Sequence, residues 1–379
     1  MRRLVNLDRL FLIFCCLCTT GSVLCIHNSV SSHRYPMLRG MLAKKYKGCL
    51  TGALLGDCFG GPFEGDLPQN ISKAQLQSFF DKLEGPAYKT PLYKYSDDTA
   101  MTKSVAESLI EKNGFDPHDM AKKFITEYYK DPRRNYGANV VDVFHKLNLN
   151  LEDVWKPAKE QFGGTGSYGN GGAMRIAPVP LFAFKDYSSM LEIAENATRL
   201  THTHRLGING ALLQAIAIHS SLNNDPDKPL DIAQFMKDLL DKITDLENKS
   251  DKVVPDSASY FVQLTKVRKL LELGENAITD VVVEELGNDV SAIYSVPTAI
   301  YCFLRAQQPI PNIETDNPFR RTLQYAISLG GDTDTIASMA GAIAGAYYGI
   351  DVINPNLINL AESQELMETL STRLYERIS

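Results

Sequence analysis

The sequence predicts an all-α fold, and three observations point there. From Lys44 onward apolar residues recur at helical spacing. Alternating strand-like runs are scarce, and Ser, Asp, Gly and Pro sit where helices start and stop. Residues 46–59 carry small and apolar side chains at helical spacing and end in Gly60-Gly61-Pro62, a strong stop. Residues 99–110 follow Ser96 and Asp97, good capping types, with Met101, Val105 and Leu109 on one face. Residues 120–129 repeat the pattern and halt at Asp131-Pro132. The segments 193–200, 206–220, 232–246 and 262–273 read as helices too. In 232–246, Phe235, Met236, Leu239, Leu240, Ile243 and Leu246 mark an amphipathic stripe. The polar segments 223–228 and 248–256 read as solvent-facing loops.

The last long helix begins near Thr335 and is rich in small residues: Ala337, Ala340, Gly341, Ala342, Ala344, Gly345 and Ala346. Small residues at nearly every turn allow other helices to approach closely, which suits the centre of a bundle. A rigid buried helix of this kind is also a good mount for ligands at its N-terminal end. There is no internal repeat, low-complexity tract or linker. The expected organisation is one domain over 37–379 behind an extension over 1–36.

The composition is ordinary for a globular chain of 379 residues, 44% hydrophobic and 22% charged. The 39 basic and 45 acidic residues give a net charge of -6, which lacks the broad basic footprint of a nucleic-acid binder. Only Cys49, Cys58 and Cys302 lie in the body, and there is no His-Glu-x-x-His pair. The body therefore reads as a reducing-compartment protein with neither a disulfide framework nor a zinc site. At the N-terminus, Arg2 and Arg3 precede an apolar run over 10–24 that looks like a signal-peptide core, although Asp8 is awkward there. Arg34 and the Ser-rich stretch before Tyr35 suit a mitochondrial presequence. A plain extension upstream of Met37 or Met41 is the third reading, and all three stand.

Two acidic clusters carry most of the chemistry. Ser96-Asp97-Asp98-Thr99 and Asp332-Thr333-Asp334-Thr335 each pack carboxylates and hydroxyls ahead of an apolar helical pattern. Hard cations such as Mg²⁺ want oxygen ligands in such a mix. The first cluster alone is better explained by helix capping than by metal binding. The second is stronger, because two carboxylates at i and i+2 repel unless something cationic lies between them. A glycine-rich stretch, Gly163-Gly164-Thr165-Gly166-Ser167-Tyr168-Gly169-Asn170-Gly171-Gly172, holds a formal G-x-G-x-x-G match. The polar residues 157–162 before it offer no strand, so the dinucleotide reading fails. Glycines there allow positive φ and expose consecutive N–H groups, a concavity suited to phosphate. Tyr168, Asn170 and Arg175 set the stretch apart from a plain linker. Glu64, in a kinked loop, and His202, at a helix end, carry little weight alone.

Together these segments resemble the ADP-ribosylglycohydrolase family, from about Tyr46 to the C-terminus. The markers are Gly48-Cys49-Leu50-Thr51-Gly52-Ala53-Leu54-Leu55-Gly56-Asp57, Tyr95-Ser96-Asp97-Asp98-Thr99-Ala100-Met101 and the stretch 330–336. Residues 166–175 and Ser295-Val296-Pro297-Thr298-Ala299-Ile300-Tyr301-Cys302-Phe303-Leu304-Arg305 look most like the members that hydrolyse ADP-ribosyl-serine and trim poly(ADP-ribose).

The resemblance implies an orthogonal all-α fold with two Mg²⁺ ions in a central cleft. Ser96, Asp97 and Asp98 would hold one ion and Asp332 and Thr335 the other, with Asp334 shared and Glu64 reaching in from a mobile loop. Thr165, Gly166, Ser167, Tyr168, Gly169, Asn170 and Gly171 would wrap the diphosphate and distal ribose. His202 would contact the phosphate or ribose region. Phe162, Tyr168 and Val290 would line the pocket, and Asp97 would also touch the ribose. Glu64 is the implied general acid/base, with Asp97 and Asp332 as the other catalytic groups. Ser96 stands where the family usually has threonine, which keeps the hydroxyl.

The implied substrates are ADP-ribosylated proteins, poly(ADP-ribose) ends and O-acetyl-ADP-ribose, cleaved by a monomer without direct DNA binding. The implied compartments are cytoplasm, nucleus and mitochondrial matrix. An ADP-ribosyl-arginine hydrolase and a non-catalytic ADP-ribose-binding or crystallin-like homologue remain as alternatives.

Overall fold

The computed structural model describes residues 30–85, 90–249 and 259–378. The apolar run over 10–24 lies outside the described residues. The chain divides into a short N-terminal unit, Met1–Leu38, and a body, Arg39–Ser379. The body is all-α. Among the described residues no strand forms, only isolated bridges such as Gly169 with Ser291. No helix among them is long and apolar enough to cross a membrane.

Local chemistry sets the helix starts. Ser96, Asp116, Asp186 and Asp231 each accept a backbone N–H in the first turn of Asp97–Lys112, Pro117–Lys130, Tyr187–Arg199 and Ile232–Asn248. The stripe read in the last of these buries Phe235, Met236, Leu239, Leu240 and Ile243. The buried apolar residues of these and the other helices form one continuous core.

The small-residue helix is the central one. It spans Thr333–Tyr348 and is buried from Thr333 to Tyr347. It packs against Arg205–Asn223, Ala292–Arg305 and Pro318–Ser328. Its backbone also meets that of the first helix, Val30–Gly60. Gly48, Gly52, Gly56 and Gly60 recur every four residues, so they share one face of that helix. A Cβ at Gly52 would lie 2.1 Å from the Gly341 carbonyl oxygen, and one at Gly56 2.1 Å from that of Ala337. The two backbones are in direct contact and run antiparallel. Gly60 therefore meets the other helix at its first turn, where Thr333 Oγ1 donates to Gly60 O at 2.9 Å.

This contact brings Asp57 and the Glu64 loop beside Asp332 and Asp334. Gly56→Val is expected to cost about 3 kcal/mol or more, because backbone cannot yield as a side chain can. Chemical denaturation checks this, and an unchanged midpoint would contradict the close approach.

Candidate active site

The two acidic clusters meet where the first helix ends. Asp57 accepts the N–H groups of Ser96 at 2.9 Å and Thr99 at 3.0 Å, so it caps the helix carrying the first cluster. Ser96 Oγ accepts the Asp98 N–H at 3.2 Å. Asp98 Oδ1 accepts the Thr335 hydroxyl at 3.2 Å, which joins one cluster to the other. Asp334 Oδ1 accepts the Thr335 N–H at 2.8 Å, and Asp332 Oδ2 accepts from Asn170 Nδ2 at 2.5 Å. Carboxylate oxygens of Glu64, Asp332 and Asp334 lie within 4.8 Å of one another.

Short backbone links hold the surrounding loops. Gly65 N–H donates to Gly331 O and Gly331 N–H to Asp66 O, each at 2.8 Å, which clamps the Glu64 loop to the second cluster. Gly331 has φ +73°, and a Cβ there would lie 2.2 Å from Asn288 O, so glycine is required. Asn288 O accepts the Asp332 N–H at 2.8 Å, while two residues on Val290 O accepts the Asn170 N–H at 2.9 Å. One segment thus ties the glycine-rich loop to the acidic centre. Glu64 Oε2 accepts from Asn135 Nδ2 at 3.0 Å, across the cleft mouth.

Of the residues given a site role in the sequence, all but Ser96, Thr165 and Gly166 line a single cleft. Ser96 faces an adjoining pocket with Asp57, and Asp334 borders both. Thr165 is exposed and its hydroxyl donates to Phe162 O at 3.0 Å. Gly166 is packed against Thr203 behind the loop. The loop does not offer the continuous row of free N–H groups expected of it. Gly166 donates to Gln161 O at 3.1 Å, Gly169 to Ser167 Oγ at 3.3 Å, and Asn170 to Val290. Phe162 and Tyr168, with ring centroids 6.1 Å apart, join exposed Val290 as an apolar rim.

The cleft also contains Met101, Asn135, Tyr136, Met174 and Arg175, which sequence reasoning gave no site role. Asn135 is held at φ 60°, rare for a non-glycine residue, and nothing in the local sequence flags it.

The electrostatics are those of a site that wants a cation. Burial, then neighbouring carboxylates, push Asp97, Asp98 and Asp334 well above the usual carboxylate range. Burial raises Asp57 and Asp332 as well. Asp98 Oδ2 is buried without a hydrogen-bond partner. An all-oxygen donor set with an orphaned carboxylate oxygen fits a hard divalent cation.

The raised values have a consequence for stability. Metal-free, the folded state binds more protons than the unfolded one. This contribution is fully present below the unfolded carboxylate value of about 3.9 and is lost as pH rises through the folded values. The metal-free protein is expected to melt lower at pH 7.5 than at pH 5.5, with Mg²⁺ restoring stability mainly at the higher pH. Equal melting at both, with or without Mg²⁺, would contradict this.

Known proteins share this architecture. A family model described as ADP-ribosylglycohydrolase matches residues 39–379. The chain is 44% identical over 346 residues to ADP-ribosylhydrolase ARH3 of Mus musculus, covering 87% of this chain and 91% of that one. ADP-ribosylhydrolase ARH3 of Danio rerio is 41% identical over 347 residues, covering 89% and 91% respectively. Among solved structures, a chain titled "ADP-ribosylglycohydrolase-related protein complex" aligns with TM-score 0.62 at 22% identity, covering 89% of this chain and 99% of that one, a likeness of fold.

Proposed function

This chain belongs to the ADP-ribosylglycohydrolase family, and we propose that it is a Mg²⁺-dependent hydrolase releasing ADP-ribose from O-glycosidic linkages. ADP-ribosyl-serine on proteins, poly(ADP-ribose) ends and O-acetyl-ADP-ribose are the substrates of this reading. The observation that carries it is the convergence of Asp97, Asp98, Asp332 and Asp334 in one cleft with the glycine-rich loop and Glu64.

In this reading Glu64, Ser96, Asp97, Asp98, Asp332, Asp334 and Thr335 hold two Mg²⁺ ions. When bound, the ions supply Lewis-acid polarisation of ribose hydroxyls and water as positive charge develops on the ring. Glu64 takes a proton from the attacking water or gives one to the departing serine oxygen. Asn135 orients it by its hydrogen bond to Oε2. Asp97 and Asp332, both lining the cleft, bind the ribose and fix the attacking group. Phe162 and Tyr168 cover the ligand, which keeps bulk water out. The cleft-lining part of the loop, Ser167 to Gly171, receives the diphosphate and distal ribose with Val290.

A pair of ADP-ribosylated peptides tests the linkage. Release from the serine-linked peptide, with little from the arginine-linked one, is the expected result. The reverse preference would make the chain an N-glycosidic hydrolase. ADP-ribose binding with no turnover on either would leave a binding homologue.

A further inference from the structure

His202 is held by a hydrogen-bond relay that no role described above uses. Behind the glycine-rich loop, the Arg175 guanidinium is 1% exposed and stacks on the Phe124 ring at 4.9 Å. Its Nη1 donates to Gly171 O at 2.8 Å. Its Nη2 donates to Ala197 O at 3.0 Å and to Thr201 Oγ1 at 2.7 Å. Thr201 Oγ1 in turn stands 2.7 Å from His202 Nδ1. Gln161 Nε2 donates to Thr201 O at 2.5 Å, which pins the same residue to the start of the loop.

The proton positions follow from the donor inventory. Arginine only donates, so Thr201 Oγ1 accepts from Arg175 and has a single proton left to place. Thr201 is fully buried. If His202 Nδ1 carried a hydrogen, that hydroxyl proton would have no acceptor, an arrangement buried groups avoid. Thr201 therefore donates to Nδ1, and Nε2 carries the imidazole hydrogen. Burial and the nearby Arg175 charge hold the ring neutral, with its pKa lowered to about 3. His202 lines the cleft, and among the described residues Nε2 has no hydrogen-bond partner. A Cβ at Gly171 would lie 3.0 Å from Nε2, so the glycine leaves that nitrogen open to the loop's ligand side.

We propose that Arg175 and Thr201 are positioning residues that lock His202 as a neutral Nε2–H donor aimed at an acceptor oxygen of bound ADP-ribose. This rests on the reading that the cleft takes ADP-ribose. The relay favours a ligand presenting lone pairs at that point and disfavours one presenting a donor.

Two measurements test it. Long-range nitrogen–proton spectra of the ligand-free protein report which ring nitrogen of His202 is protonated, and calorimetry gives the affinity for ADP-ribose. The wild type is expected to show protonated Nε2 and bare Nδ1 at pH 7. Thr201→Val should lose that preference and bind ADP-ribose about 10-fold more weakly. Thr201→Ser, which keeps the hydroxyl, should restore both. A wild-type His202 protonated at Nδ1 would overturn the proposal without any variant. So would a Thr201→Val protein keeping both the tautomer and the wild-type affinity. A wild type that does not bind ADP-ribose would sink the substrate reading alone, since the ring spectrum still decides the relay.

Discussion

Asp334→Asn is expected to lower turnover by more than about 10²-fold and, in metal-free protein, to raise the melting temperature. The two effects share one cause. Removing a group that only orients a metal ligand typically costs about 10–100-fold, and a carboxylate bridging two ions should exceed that. Asp334 borders both the main cleft and the adjoining pocket that Ser96 faces. Without metal, the same carboxylate is a liability. It is buried and faces Asp332, Asp57 and Glu64, which raise its pKa. Asparagine removes the repulsion while keeping the shape.

Ser96→Ala should do less to turnover. Its hydroxyl accepts the Asp98 N–H as a helix cap, whose loss costs about 1 kcal/mol. Steady-state turnover at saturating Mg²⁺ and melting curves in chelator check the pair. An Asp334→Asn protein that is fully active, or less stable without metal, would contradict the shared-ligand assignment.

Glu64→Gln should lower kcat by about 10²–10⁴-fold while ADP-ribose affinity stays close to wild type. Glutamine is nearly the same size, and its carbonyl can still accept the hydrogen bond that Asn135 makes to Glu64. Only the capacity to exchange a proton is removed. Because Glu64 is also a proposed metal ligand, the comparison belongs at saturating Mg²⁺. A single-turnover rate with ADP-ribosyl-serine peptide, beside calorimetry with ADP-ribose, separates chemistry from binding. Unchanged turnover would remove Glu64 from the acid/base role and move attention to Asp97 and Asp332.

Much of the site was legible because it lies in short, dense segments. Paired carboxylates beside hydroxyls are an unusual way to begin a helix, so Asp332 and Asp334 stood out as more than caps. The small residues after Thr335 signalled a buried helix, and Thr333–Tyr348 is buried almost throughout. Other parts could not be read locally. Asp57 looks like one more aspartate until the fold sets it under the N–H groups of Ser96 and Thr99. Asn135 gains its role from Glu64, and Arg175 and Thr201 from each other, pairs that local sequence does not reveal.

The glycines at 48, 52, 56 and 60 were visible, yet their spacing gains meaning only with a second helix against them. The helix Ala292–Arg305 was not read from the sequence, and it carries Pro297 inside, a residue that ordinarily argues against a helix interior. Its first turn nonetheless holds the site together, since Ala292 N–H donates to Tyr168 O at 3.1 Å.

The most direct test is release of ADP-ribose from a serine-modified peptide as Mg²⁺ is removed with a chelator and then returned. Carboxylates gathered around hard divalent ions predict that release stops on chelation and recovers with Mg²⁺. Undiminished release after exhaustive chelation would contradict the account.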